Sequence, residues 1–137
     1  MGEMIAVTPH FCLVEFSCRD GAPYPGHWIE ERLRPLCDTL EVIRLAVGGP
    51  LAILSGYRTE SYNRQINGAK LSQHVQGRAA DIRAAGFNAA TLHALVLSLY
   101  KAGTLPHLGG LGLYAGFVHC DVRATERLIR WTGSQAT

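Results

Sequence analysis

The chain has 137 residues, 47% of them hydrophobic, which is enough to bury one core and fits one domain over residues 1–137. Its 13 basic and 11 acidic residues leave a formal charge of +2 and are scattered, so no basic block tracks phosphates and nucleic acid is excluded as a partner. No apolar run reaches membrane-spanning length and the N-terminus has no signal-like apolar stretch, so a soluble chain made without its own secretion signal, with no membrane partner and monomeric, is the expectation.

Residues 1–26 read as an irregular segment, ending in "FSCRDGAPYPG" with its two prolines and two glycines. Leu33, Leu36, Leu40, Ile43 and Val47 then recur at steps of three and four, the stripe of an amphipathic helix closed by Gly48 and Gly49. Pro35 lies at its start, so the helix begins near Arg34 or bends there. "LAILSGY" (51–57) is a short apolar run and predicts a buried strand that ends in a turn. Thr59 is placed to cap a short helix reaching Ile66.

A loop rich in Gly, Ser and Gln follows and carries "SQHVQGRAAD" (72–81), after which "AADIRA" predicts a strand. Asn88 is positioned to cap the helix "AATLHALVLSLYKAG", with Gly103 as its stop. "GLGLYA" and "FVHCDVR" alternate on either side of Gly116 and predict a hairpin. Helices in the first half and strands gathered around the histidines give an α+β class, a central mainly antiparallel sheet with flanking helices, rather than a βαβ repeat.

The hairpin supplies the chemistry. Residues two apart on a strand share a face, so Phe117, His119 and Asp121 point one way and Val118, Cys120 and Val122 the other. Polar groups on a core strand need partners, because an unpaired buried polar group costs roughly 2–7 kcal/mol. A divalent metal satisfies them: His74, Asp81 and His119 form a two-histidine, one-carboxylate set that suits Zn2+ and leaves a fourth position for water. Gly77 lets the chain turn between His74 and Asp81, and Ala79 and Ala80 are small enough for close packing there. His10, His27, His93 and His107 are read as surface or structural groups. The four cysteines form no C-x-x-C pair, which excludes a zinc ribbon, and they are read as small buried hydrophobes.

"SGYRTESYN", "SQHVQGRAADI" and "GLGLYAGFVHCDVR" together resemble the zinc D-alanyl-D-alanine carboxypeptidases and the related phage L-alanyl-D-glutamate endolysins. That group has the pattern S-x-H-x-x-G-x-A-x-D with a later H-x-D or W-H. Ser72, His74, Gly77, Ala79 and Asp81 meet it, and the resemblance runs from about Phe11 to Trp131. It implies the fold shared by these carboxypeptidases and hedgehog domains. It also implies metal ligands at His74, Asp81 and His119, a zinc-dependent hydrolysis of an amide in a peptidoglycan stem peptide, and a substrate- and reaction-supporting arginine at Arg58.

Arg58 either grips a peptide carboxylate or forms a surface ion pair with Glu60 or Glu41. Ser72 is either a hydrogen-bonding group of the site or a turn residue. Tyr114 either stabilises an oxyanion or packs at the rim. Many relatives carry Glu or Asp three positions before the last metal histidine, where this chain has Gly116. Asp121 is therefore either the catalytic base or a support for His119, paired with Arg123 or Arg58. Three readings follow: a carboxypeptidase or endopeptidase of the cell wall, a metal-bearing wall-binding or virion domain without turnover, and a hydrolase or lyase of another small amide. A wall target and a chain without a signal fit release by a holin, delivery by another component, or excision from a longer precursor.

Overall fold

A computed structural model describes residues 5–133. Residues 1–4 of the segment expected to be irregular lie outside the described part. The rest of it holds more order than its prolines suggest: β1 (Ala6–Thr8) and β2 (Phe11–Cys12) pair antiparallel, and a 3-10 turn follows over Leu13–Phe16. Phe11 and Phe16 are both buried and meet edge to face, so the hairpin is held by its own contribution to the core.

Helix α1 (Arg34–Val47) begins at the predicted point, and Pro35 explains what precedes it. Proline has no N–H to return to the carbonyl four residues back, and the chain before it winds as a wider π turn over Ile29–Leu33 whose end bonds Arg34 N–H to Ile29 O. Leu36, Leu40 and Ile43 are buried along one stripe, and Gly48 ends the helix at φ 79°, a left-handed conformation that suits glycine. Helix α2 (Glu60–Gln65) starts where Thr59 Oγ1 accepts from Tyr62 N–H, and α3 (Ala89–Lys101) where Asn88 Oδ1 accepts from Thr91 N–H, as the capping residues predict. No helix among the described residues is long and apolar enough to cross a membrane.

Five strands form the central sheet in the order β3 (Leu51–Ser55), β4 (Ala79–Ala84), β6 (Val118–Asp121), β5 (Gly110–Leu113) and β7 (Ile129–Thr132). All neighbours are antiparallel except β5 and β7, so the mainly antiparallel sheet expected of an α+β domain is present. The buried strand expected over 51–57 is an edge strand instead. Within β3 only Leu51 is buried, and Arg19 reaches across to donate to the carbonyls of Ile53 and Leu54 that the edge would leave to water.

Helices α1 and α3 cover one face of the sheet. Ile82, Leu111, Val118 and Cys120 turn into that layer with Leu40, Ile43, Leu92 and Val96, all essentially without exposure. The opposite face carries Asp81, His119 and Asp121, covered by the loop over 66–78. Alternation on β6 thus divides core from site as predicted.

Candidate metal centre

Strand register makes the first contact of the site. Asp81 on β4 stands directly opposite His119 on β6, and Ala79 opposite Asp121, so one antiparallel pairing lines up both carboxylates with the histidine. His74 arrives from the loop. Gly77 turns at φ 70°, and a Cβ there would run into Trp28 and Tyr24. Tyr24 donates its hydroxyl to Gly77 O at 2.7 Å and Arg32 donates to Gln76 O at 2.9 Å while lying over the Trp28 ring, so the segment before α1 clamps the loop that presents His74.

One ligand atom from each of His74, Asp81 and His119 lies within 4.8 Å of the others, and all three residues are buried. His74 Nε2 and His119 Nδ1 each stand 3.1 Å from Asp81 Oδ1. The far nitrogens have acceptors of their own. His74 Nδ1 is 2.7 Å from the Gly56 carbonyl, which can only accept, and His119 Nε2 is 2.7 Å from Asp121 Oδ2. In the neutral forms that carry their protons on those outer nitrogens, His74 Nε2 and His119 Nδ1 would present lone pairs to a cation bound beside Asp81 Oδ1. Three electron-pair donors converging in a dry space are the donor set of a divalent cation, and the two-imidazole, one-carboxylate composition fits zinc.

The electrostatics follow from the same partners. Burial holds His74 below its ordinary value, keeping it in the neutral, ligating form. Burial also pushes His119 down, but its bonds to Asp121 and Asp81 outweigh that and raise it. Burial alone would raise the Asp81 carboxyl; His74 and His119 together hold it well below the usual carboxylate range. Asp121 is likewise depressed, with Arg123 and His119 overcoming the cost of burial.

Arg58 forms no surface ion pair with Glu60 or Glu41. It is 3% exposed and donates to Asp81 Oδ2 at 3.4 Å, to Asn63 Oδ1 at 3.2 Å and to Ser55 Oγ at 3.1 Å. Ser72 is buried, and its Oγ accepts from His74 N–H at 3.1 Å, a turn-type bond that shapes the loop carrying His74. Asp121 has no exposure. Its Oδ1 accepts from Arg123 N–H and Nε at 3.1 and 2.8 Å, and its Oδ2 from Arg123 Nη2 and His119 Nε2, both at 2.7 Å.

A cavity of about 370 Å³ opens beside the ligands, lined among others by Ser72, Gln73, Tyr114, His119, Arg123 and Trp131. The Tyr114 oxygen accepts from Trp131 Nε1 at 2.9 Å, and the Tyr114 ring stacks on Phe117 with centroids 4.6 Å apart. Trp131, whose ring centre is 5.1 Å from that of His119, is absent from the residues singled out in the sequence, as is Asn63. The signal for Trp131 lies on another strand. Gly110 and Gly112 face the site from β5, and a Cβ on the first would strike the Asp121 carboxylate and on the second the Trp131 ring.

Gly116 lies exposed on the turn between β5 and β6, where its carbonyl accepts from Arg83 Nε at 2.8 Å. His10 pairs with Glu41 at 2.7 Å, His27 and His107 are exposed, and His93 is half-buried on α3, so none of the four joins the centre. All four cysteines are free thiols, three of them buried.

No curated protein matches the chain. The family model for peptidase M15 does match, over residues 9–121, a span that holds the whole His74, Asp81 and His119 set and most of the chain. A His, Asp and His set that could hold a metal ion lies inside that span, as a metallopeptidase requires, and the chain belongs to the peptidase M15 family.

Proposed function

We propose that this M15 peptidase is a zinc enzyme that hydrolyses an amide bond in peptidoglycan stem peptides. The observation that carries the reading is the convergence of His74 Nε2, Asp81 Oδ1 and His119 Nδ1, with His119 forming part of the wall of a cavity also lined by Tyr114 and Arg123. When bound, zinc supplies Lewis acidity toward a carbonyl and lowers the pKa of bound water toward ~7.

The chain's own residues do the rest. Gly56 O and Asp121 hold the two imidazoles in the tautomers that ligate. Arg58 braces Asp81 through Oδ2 and leaves Oδ1 turned to the histidines. Of the two roles open for Asp121, support for His119 suits its geometry: both its oxygens are taken by Arg123 and His119, and it has no exposure from which to take a proton from water. Tyr114, whose oxygen is already engaged by Trp131 Nε1, keeps its O–H for donation to charge developing on a substrate oxygen in the cavity.

Two observations favour a second reading, a metal-bearing domain that binds cell wall without cutting it. Gly116 places no carboxylate near the ligands, and Asp121 is enclosed. Digestion of purified muropeptides by zinc-loaded protein, with a chelator-treated control and mass spectrometry of the products, separates the two. Loss of an alanine or a split within the stem, only with metal, establishes the peptidase; intact muropeptides in both samples favour the binding domain.

A further inference from the structure

The proposed substrate meets a charge problem at this site. Arg58, the arginine expected to hold a substrate carboxylate, is nine-tenths and more buried and is engaged with Asp81, Asn63 and Ser55. An arginine committed to a metal ligand has little left to offer a second carboxylate. Arg123, the cation in the cavity beside His119, is held by Asp121, and further cations line a second cavity that adjoins the first.

A larger cavity, about 770 Å³, is built from α2 and the loop over 68–78. Its lining holds three cationic side chains, Arg64, Lys70 and Arg78, against one carboxylate, Glu60. It shares Leu71, Ser72 and Gln73 with the cavity beside His119, so the two spaces adjoin along that stretch. Leu71 stands on this rim with 91% of its surface exposed, an apolar side chain placed where a chain crossing from one cavity to the other would rest on it.

We infer that the cavity lined by Arg64, Lys70 and Arg78 is a binding subsite for an acidic peptide segment, and that the substrate runs through both cavities across the Leu71–Gln73 rim. Two adjoining spaces fit a peptide that extends beyond the residues next to the metal, with its acidic segment held by Arg64, Lys70 and Arg78. This rests on the peptidase reading for the bond cut, but the acidic subsite stands or falls by binding alone. Excess positive charge in a concavity attracts carboxylates over several ångströms and is screened as salt rises.

The test compares two fluorescently labelled stem peptides, one with its free side-chain carboxylates and one with every carboxylate amidated, binding to zinc-loaded protein in the cold. Mass spectrometry of the same samples reports cleavage separately. The acidic peptide should bind more tightly, by about tenfold, with an affinity that falls as salt rises. Arg64→Gln with Lys70→Gln, two exposed positions, should remove that difference and leave zinc binding unchanged; Arg78→Gln repeats the test at a third position. Equal affinities for the two peptides, or a difference that survives these substitutions, overturns the subsite even if cleavage is seen. Charge-dependent binding without cleavage keeps the subsite and removes the peptidase reading. Failure of both peptides to bind overturns the subsite as well.

Discussion

Asp121 joins the ligand set to the rest of the fold through one bond to His119 and three to Arg123, and its removal tests what a supporting carboxylate contributes. Asp121→Asn keeps the shape and loses the charge that fixes the outer proton of His119. Zinc affinity should fall about 10–100-fold, read by competition with a chromophoric chelator, with the secondary structure unchanged by circular dichroism. A variant that binds zinc as the parent does would return Asp121 to the alternative role, that of a base. The thiols give a second check at this scale. Cys120 has no exposure and burial pushes its thiol up, as it does for Cys37, while Cys12 is half-buried. In the native protein Cys12 should react first with a thiol reagent, and rapid labelling of Cys120 would mean that the face assigned to β6 is wrong.

At the scale of elements, the ligand loop depends on the segment before α1 that clamps it. Gly77→Ala places a Cβ against Trp28 and Tyr24 at a left-handed φ, and both effects act on the loop that carries His74. The expected cost is about 1 kcal/mol or more in stability, by urea denaturation, together with weaker zinc binding. Tyr24→Phe removes only the 2.7 Å bond to Gly77 O and should cost less, about 1 kcal/mol, with the same direction in zinc affinity. Strand β7 acts on the other side of the site. It contributes Trp131 to the wall of the cavity, and the two glycines of β5 are what make room for it and for Asp121.

Over the whole molecule, the buried charges couple stability to pH and to metal. Asp81 and Asp121 are held below their ordinary 3.8, so their contribution is fully present above that value and is lost progressively as pH falls from it toward their lower folded values, where the unfolded chain takes up protons that the folded one refuses. His74 and His119 shift in opposite directions and oppose each other near neutrality. The metal-free protein should therefore lose stability steeply below about pH 4, followed by thermal unfolding across pH, and Asp121→Asn should flatten that fall. Zinc at a hundredfold excess over its Kd should raise stability by about 2.7 kcal/mol, and a chelator should reverse the shift in melting temperature.

What the sequence determined by itself were the features set by neighbours along the chain: the Thr59 and Asn88 caps, the stripe of α1, and the split of β6 into a core face and a site face; its spacing and motif also pointed to the His74, Asp81 and His119 that the fold brings together. Backbone periodicity and capping are local, so a single strand of letters carries them. The tertiary structure alone decided the partners of those residues. Nothing near Arg58 in sequence says that it turns inward to Asp81, nothing in "IRWT" says that Trp131 lies beside β5, and nothing in 51–57 says that the strand is at an edge. The order of strands in a sheet and the direction of a buried charge depend on contacts between residues far apart in the chain, and those form only when the sheet closes over its core.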